Sequence, residues 1–127
     1  MATVSRYHIH AATAQHVSGQ FPLEMEYIAA AAEGRESPPY SWDDINGKND
    51  GRAAANSAAT KAQVLAEFKE GGSSVAAYIR GLSDEQLDAT INLSLTGGAA
   101  VSTQQLIEGG VLIDHLNGHL KSIQAVA

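Results

Sequence analysis

The chain has 127 residues, 8 of them basic and 14 acidic, for a formal net charge of −6, and it contains no cysteine. This length fits one compact domain, residues 1–127, able to bury about two-thirds of its unfolded surface. No run of Lys or Arg is interleaved with aromatics, which excludes a phosphate-tracking nucleic-acid surface; the lack of cysteine excludes disulfides, thiolate nucleophiles and thiolate zinc sites.

The first expected element is a helix over residues 2–33. It is rich in Ala, and Tyr7, His10, Ala14, Val17, Phe21, Met25 and Ile28 recur at steps of three and four. Pro22, which lacks an amide donor, is expected to kink or interrupt it near Gly19, and Gly34 to stop it. Residues 35–50, "RESPPYSWDDINGKND", hold two prolines and several Asn, Asp and Gly turn signals and read as a long loop. A second helix is expected over 51–80, with Val64, Leu65, Phe68, Val75, Tyr78 and Ile79 on its apolar side and "EGGSS" at 70–74 inside it. Ser83 followed by Gln86 forms a capping-box pattern for a short helical turn. Residues 91–101 read as a short extended arm or a loop. Ser102 and Gln105 repeat the capping box, so the last helix is expected over 103–124. Nothing reads as a paired sheet, and the fold class is all-α, a helical bundle with three long helices.

Candidate chemistry is concentrated in "VLIDHLNGHLKSI", residues 111–123. His115 and His119 are four apart, which on a helix brings both imidazoles to one face, one turn from each other. That spacing can chelate a metal ion, and it also occurs on ordinary surface helices. The interval lacks the glutamate of the H-E-x-x-H zinc-protease pattern, and "NGKNDG" lacks the spacing of a phosphate loop. A third ligand has to come from elsewhere, and the first helix offers His8, His10 and His16. At 100° per residue, His10 falls within about 20° of the Phe21–Ile28 stripe, while His8 and His16 fall roughly opposite. Helical phase therefore favours His10, unless Pro22 breaks the helix, in which case His16 is its rival. Asp114, directly before His115, can orient an imidazole or simply face solvent, and Glu108 falls on nearly the azimuth of His115 as a base or fourth ligand.

Several stretches together resemble the DinB-like superfamily of bacterial four-helix bundles, which includes metal-dependent YfiT-type proteins and thiol-dependent S-transferases. They are "TVSRYHIHAA", "AEGRESPPYSWDDINGKND", "AQVLAEFKEGGSSVAAYIRGLSDEQLD" and "VSTQQLIEGGVLIDHLNGHLKSI", in the order and spacing of that family across nearly the whole chain. The resemblance implies an up-down bundle and a divalent ion held by His10 or His16 together with His115 and His119. His16, in "QHVSGQF", also resembles the family's His followed by an apolar residue, a small residue and Gly. The family has a further helix ahead of the first one here, so the resemblance implies a bundle completed by a partner chain, as a homodimer.

The expected cofactor is a divalent metal, zinc or nickel, both compatible with imidazole ligation. The expected function is a metal-dependent hydrolase or a thiol S-transferase acting on a small-molecule substrate, with a low-molecular-weight thiol supplied from outside because the chain has no cysteine. The alternative is a non-catalytic helical dimerisation or small-ligand-binding module with a vestigial metal site. No apolar run approaches bilayer length and no leader pattern opens the chain, so the expected location is cytoplasmic, with neither membrane nor nucleic acid as partner.

Overall fold

The structure, a computed structural model, describes the backbone of residues 6–125 and the side chains of 13–125 other than Ile123. It is mostly helical. In chain order the elements are α1 (Arg6–Ala32), α2 (Trp42–Ala55), α3 (Lys61–Arg80), α4 (Asp84–Asp88), β1 (Thr90–Leu93), β2 (Ala99–Ser102), α5 (Thr103–Glu108) and α6 (Ile113–Ala125). Helix α1 is the hub, contacting α2 through α6 and β1.

Helix α1 runs through Pro22 without interruption. Pro22 removes one amide from the helical ladder, and near it the carbonyl of Gly19 accepts from Arg52 Nη1 at 2.6 Å. A Cβ on Gly19 would lie 2.4 Å from Arg52 Cδ, so glycine is what lets the guanidinium reach the helix backbone. The end of α1 is a Schellman turn: Gly34 adopts φ +69°, its amide bonds Ala31 O at 3.2 Å, and Arg35 N bonds Ala30 O at 2.8 Å.

The stretch expected as a loop at 35–50 is extended only as far as Ser41, after which α2 begins. Its Asn, Asp and Gly residues are poor helix formers. Three anchors override that preference. Ser41 and Asp44 form a capping box, with Ser41 N to Asp44 Oδ2 at 2.9 Å and Asp44 N to Ser41 Oγ at 3.1 Å. Ile45 is buried, and Asn49 accepts from Gln20 Nε2 of α1 at 3.1 Å. The helix expected over 51–80 is accordingly two: α2 ends at Ala55, and Thr60 and Gln63 form a fresh capping box that opens α3. "EGGSS" does not interrupt α3, and Gly71 faces Phe21, where an added Cβ would lie 2.7 Å from the ring.

The capping box of Ser83 and Gln86 opens α4 as expected. Residues 90–102 form a two-stranded antiparallel hairpin where no paired sheet was expected, with Ile91 opposite Val101 and Leu93 opposite Ala99. Gly97 (φ 68°) and Gly98 (φ 87°) supply the left-handed turn. Ile91 and Leu93 point into the core while Thr90 and Asn92 face solvent, the alternation of a half-buried strand. The core they join includes Val17, Phe21, Ile28, Ala31, Val75, Leu106 and Leu112. Full burial of side chains such as Ile28 and Leu106 contributes about 2 kcal/mol each.

The capping box of Ser102 and Gln105 starts a helix at Thr103, but that helix ends at Glu108 rather than continuing to 124. Gly109 takes an extended ψ of −155°, and a Cβ there would lie 2.7 Å from Gln105 O, which makes glycine the residue that permits this close exit. After three further residues, including buried Leu112, α6 begins.

Candidate metal centre

Two elements supply the histidines. Helix α1 contributes His16, and α6 contributes His115 and His119 from successive turns. One ring nitrogen from each of the three lies within 4.8 Å of the others, a group that can hold a metal ion. The ring centroids are 4.5 Å apart for His115 and His119, 4.8 Å for His16 and His119, and 5.7 Å for His16 and His115. All three rings are half-buried, shielded yet reachable. No family model matches the chain, and no curated protein or solved structure matches it either.

His119 Nε2 and His115 Nε2 are 2.9 Å apart, so the two edges that would face an ion now face each other. Two nitrogens bound to zinc at about 2.05 Å in a tetrahedron stand about 3.3 Å apart. The α6 pair needs only a few tenths of an ångström of opening to fit that geometry, and His16 needs a modest approach. The donor set, three imidazoles without carboxylate or thiolate, suits zinc, nickel or copper better than magnesium or calcium.

Helical phase favours His10 as the third ligand and leaves His16 as its rival only if Pro22 breaks the helix; α1 is unbroken, yet the histidine it brings to the pair is His16. The side chain of His10 lies outside the described residues. The stripe that phase was measured against, Phe21 to Ile28, is the face of α1 turned to the core. At about 100° per residue, the α1 residues at the site, His16, Gln20, Glu24 and Tyr27, lie along a face rotated by roughly a quarter turn from that stripe.

Glu24 was not anticipated. Its Oε1 lies 2.8 Å from His115 Nδ1, and the side chain is only 6% exposed. With Glu24 as a carboxylate, which only accepts, Nδ1 carries the hydrogen and Nε2 presents its lone pair to the other two histidines. This is the carboxylate–histidine pairing that fixes ring orientation and raises ligand basicity at metal sites. Its signal in the sequence is an acid two turns and a fraction beyond His16, flanked directly by Leu23 and Met25 in "FPLEMEYI", a stretch that also holds Glu26.

The other carboxylates expected near the site lie elsewhere. Glu108 is exposed at the end of α5, where it accepts from Gln104 Nε2 at 3.1 Å. The break at Gly109 removes the continuous azimuth that would have carried it to His115. Asp114 is exposed on the first turn of α6, and the carboxylate holding His115 is Glu24.

The electrostatics favour uncharged imidazoles. His16 is held below the usual histidine value first by burial, then by the charges of His119, His115 and Arg52. His119 is lowered by burial and then by His115. Neutral rings are the form a metal requires, so the protein has already discouraged the competing proton. Burial raises Glu24 above the ordinary carboxylate value, partly countered by its hydrogen bond to His115 and by the nearby positive charges.

Proposed function

We propose that this chain is a divalent-metal protein of the DinB-like type, binding zinc or nickel through His16, His115 and His119, and using it as a hydrolase or as a transferase of a low-molecular-weight thiol. The observation that carries this reading is the convergence of three imidazoles from α1 and α6, one of them oriented by a buried carboxylate. A structural site for zinc fills all four positions with protein ligands, whereas three leave one for water or substrate. When bound, the ion would act as a Lewis acid, acidifying a coordinated water or thiol.

The residues of the chain have distinct tasks in this scheme. His115, held through Nδ1, directs Nε2 at the centre; His119 and His16 stay neutral through burial; Glu24 takes up positive charge that develops on His115. Ile113 and Leu120, seven residues apart and thus on one side of α6, are 39% and 49% exposed. That stripe supports a homodimer that buries it.

The test of the chemistry is a pair of assays on chelator-stripped protein reloaded with Zn²⁺ or Ni²⁺. One follows hydrolysis of p-nitrophenyl acetate, the other consumption of glutathione with 1-chloro-2,4-dinitrobenzene. Metal-dependent turnover in either assay, lost in His119→Ala, is expected. Turnover that ignores both metal and the substitution, or its absence in both assays, contradicts an enzymatic role in these two reaction classes.

A further inference from the structure

Next to the histidines is a cleft of about 200 Å³ between α1, α2, the hairpin and the 109–112 break. Leu23, Ile45, Leu95 and Val111 give it an apolar wall, and Trp42, 60% exposed, stands at its edge. Among the described residues no Lys or Arg lines it. Glu24 does, and this carboxylate is only half satisfied: Oε1 bonds His115, while Oε2 is buried without a hydrogen-bond partner among the described residues. A buried carboxylate oxygen lacking a donor is costly, and native proteins satisfy such groups with side chains, water or ligand.

These features select an occupant. A dry apolar cavity of about 150 Å³ accommodates benzene, so this cleft has room for a substituted benzene ring. The wall favours an apolar body, Glu24 repels an anion, and Oε2 asks for a donor. We propose that the cleft binds a small apolar molecule of about that size which carries one uncharged hydrogen-bond donor and delivers it to Glu24 Oε2. Neighbouring atoms cover Oε2, so contact takes a turn about the soft terminal torsion of Glu24, which also shifts Oε1 against His115 Nδ1. The volume, the wall and the acceptor do not involve a metal, so the inference goes beyond the metal reading and stands apart from it.

The one tryptophan in the chain borders the cleft and reports its occupancy. Chelator-stripped protein is titrated with benzyl alcohol, toluene and benzoate while Trp42 emission is followed. The expected result is a saturable change with benzyl alcohol, binding about fivefold or more weaker for toluene, and none for benzoate. Gly110→Phe should abolish the response, since a Cβ at Gly110 meets nothing within 4 Å and the new ring can occupy the cleft. Glu24→Leu should bind alcohol and toluene alike, and Glu24→Gln, which retains an acceptor, should keep the preference; circular dichroism checks that each variant is folded. No saturable response, a response that survives Gly110→Phe, or equal affinity of the unsubstituted protein for alcohol and toluene overturns the proposal. Because the titration is done without metal, its failure leaves the metal reading standing, and failure of the metal reading leaves this result untouched.

Discussion

Glu24 Oε1 and His115 Nδ1 lie 2.8 Å apart although 91 positions separate them in the chain. The contact ties the middle of α1 to the first turns of α6 and fixes which edge of the His115 ring faces His119 and His16. Its removal frees the ring to rotate. We predict that Glu24→Ala weakens zinc binding by about 10- to 100-fold, with a smaller loss for Glu24→Gln, whose amide oxygen can still accept from Nδ1. Competition with a chromophoric zinc chelator measures both. Unchanged affinity in the alanine variant would show that the carboxylate does not orient the ligand.

Acidification should weaken the fold in a window set by His16 and His119, both below their ordinary value of 6.5. Groups with a depressed folded pKa bind fewer protons when folded than when unfolded. Their effect is absent above pH 6.5, and destabilisation grows as pH falls from there through the folded values. Glu24, raised by burial, acts oppositely: its contribution to stability is present at low pH and lost as pH rises through its folded value. The histidine contribution should appear as a loss of thermal stability of the metal-free protein as pH falls below 6.5, with a flatter profile in His119→Ala. A profile below pH 6.5 that is the same in the unsubstituted protein and in His119→Ala contradicts the assignment of neutral, half-buried imidazoles.

Two neighbouring glycines of α3 should respond with opposite signs. A Cβ on Gly71 would meet Phe21 Cδ2 at 2.7 Å, and that ring is 5% exposed in the core. Gly71→Ala should cost about 1–2 kcal/mol, overpacking outweighing the gain in helix propensity. At Gly72 an added methyl meets nothing within 4 Å, so Gly72→Ala should stabilise by about 0.5–1 kcal/mol. Urea denaturation of the two variants reads the difference directly, and a stabilised Gly71→Ala would show that α3 and Phe21 are not packed as described.

The exposed stripe of Ile113 and Leu120 should be an interface between two copies of the chain. Light scattering at low micromolar concentration is expected to give a dimer, with an interface of about 2,000 Å² or more in total, and Leu120→Glu should shift it to monomer. A stable monomer of the unsubstituted chain would contradict the dimer, and it would leave these two side chains as isolated apolar groups on a solvated helix.

Much of this arrangement is legible in the sequence, and what is not has identifiable causes. His115 and His119 are visible because an i, i+4 pair on a helix is a local relationship. His16 is not singled out, because the core stripe of α1 and the face turned to α6 are different faces, and periodicity reveals only the first. Glu24 acquires meaning only when α6 is folded against it. Helix α2 is hidden by its Asn, Asp and Gly content, although Ser41 and Asp44 spell a capping box in which aspartate takes the usual glutamate position. Thr60 and Gln63 carry the same mark for α3. The break between α5 and α6 is signalled by Gly109 and Gly110, whose effect is masked by the apolar period running through them.

The convergence of His16, His115 and His119 on one ion is tested most directly by zinc stoichiometry of tag-free protein, measured by elemental analysis after dialysis. The unsubstituted chain should retain one ion per copy. His16→Ala, His115→Ala and His119→Ala should each lose it while remaining helical by circular dichroism, and His10→Ala should keep it. Loss in His10→Ala with retention in His16→Ala, or full occupancy in both α6 variants, would contradict the centre described here.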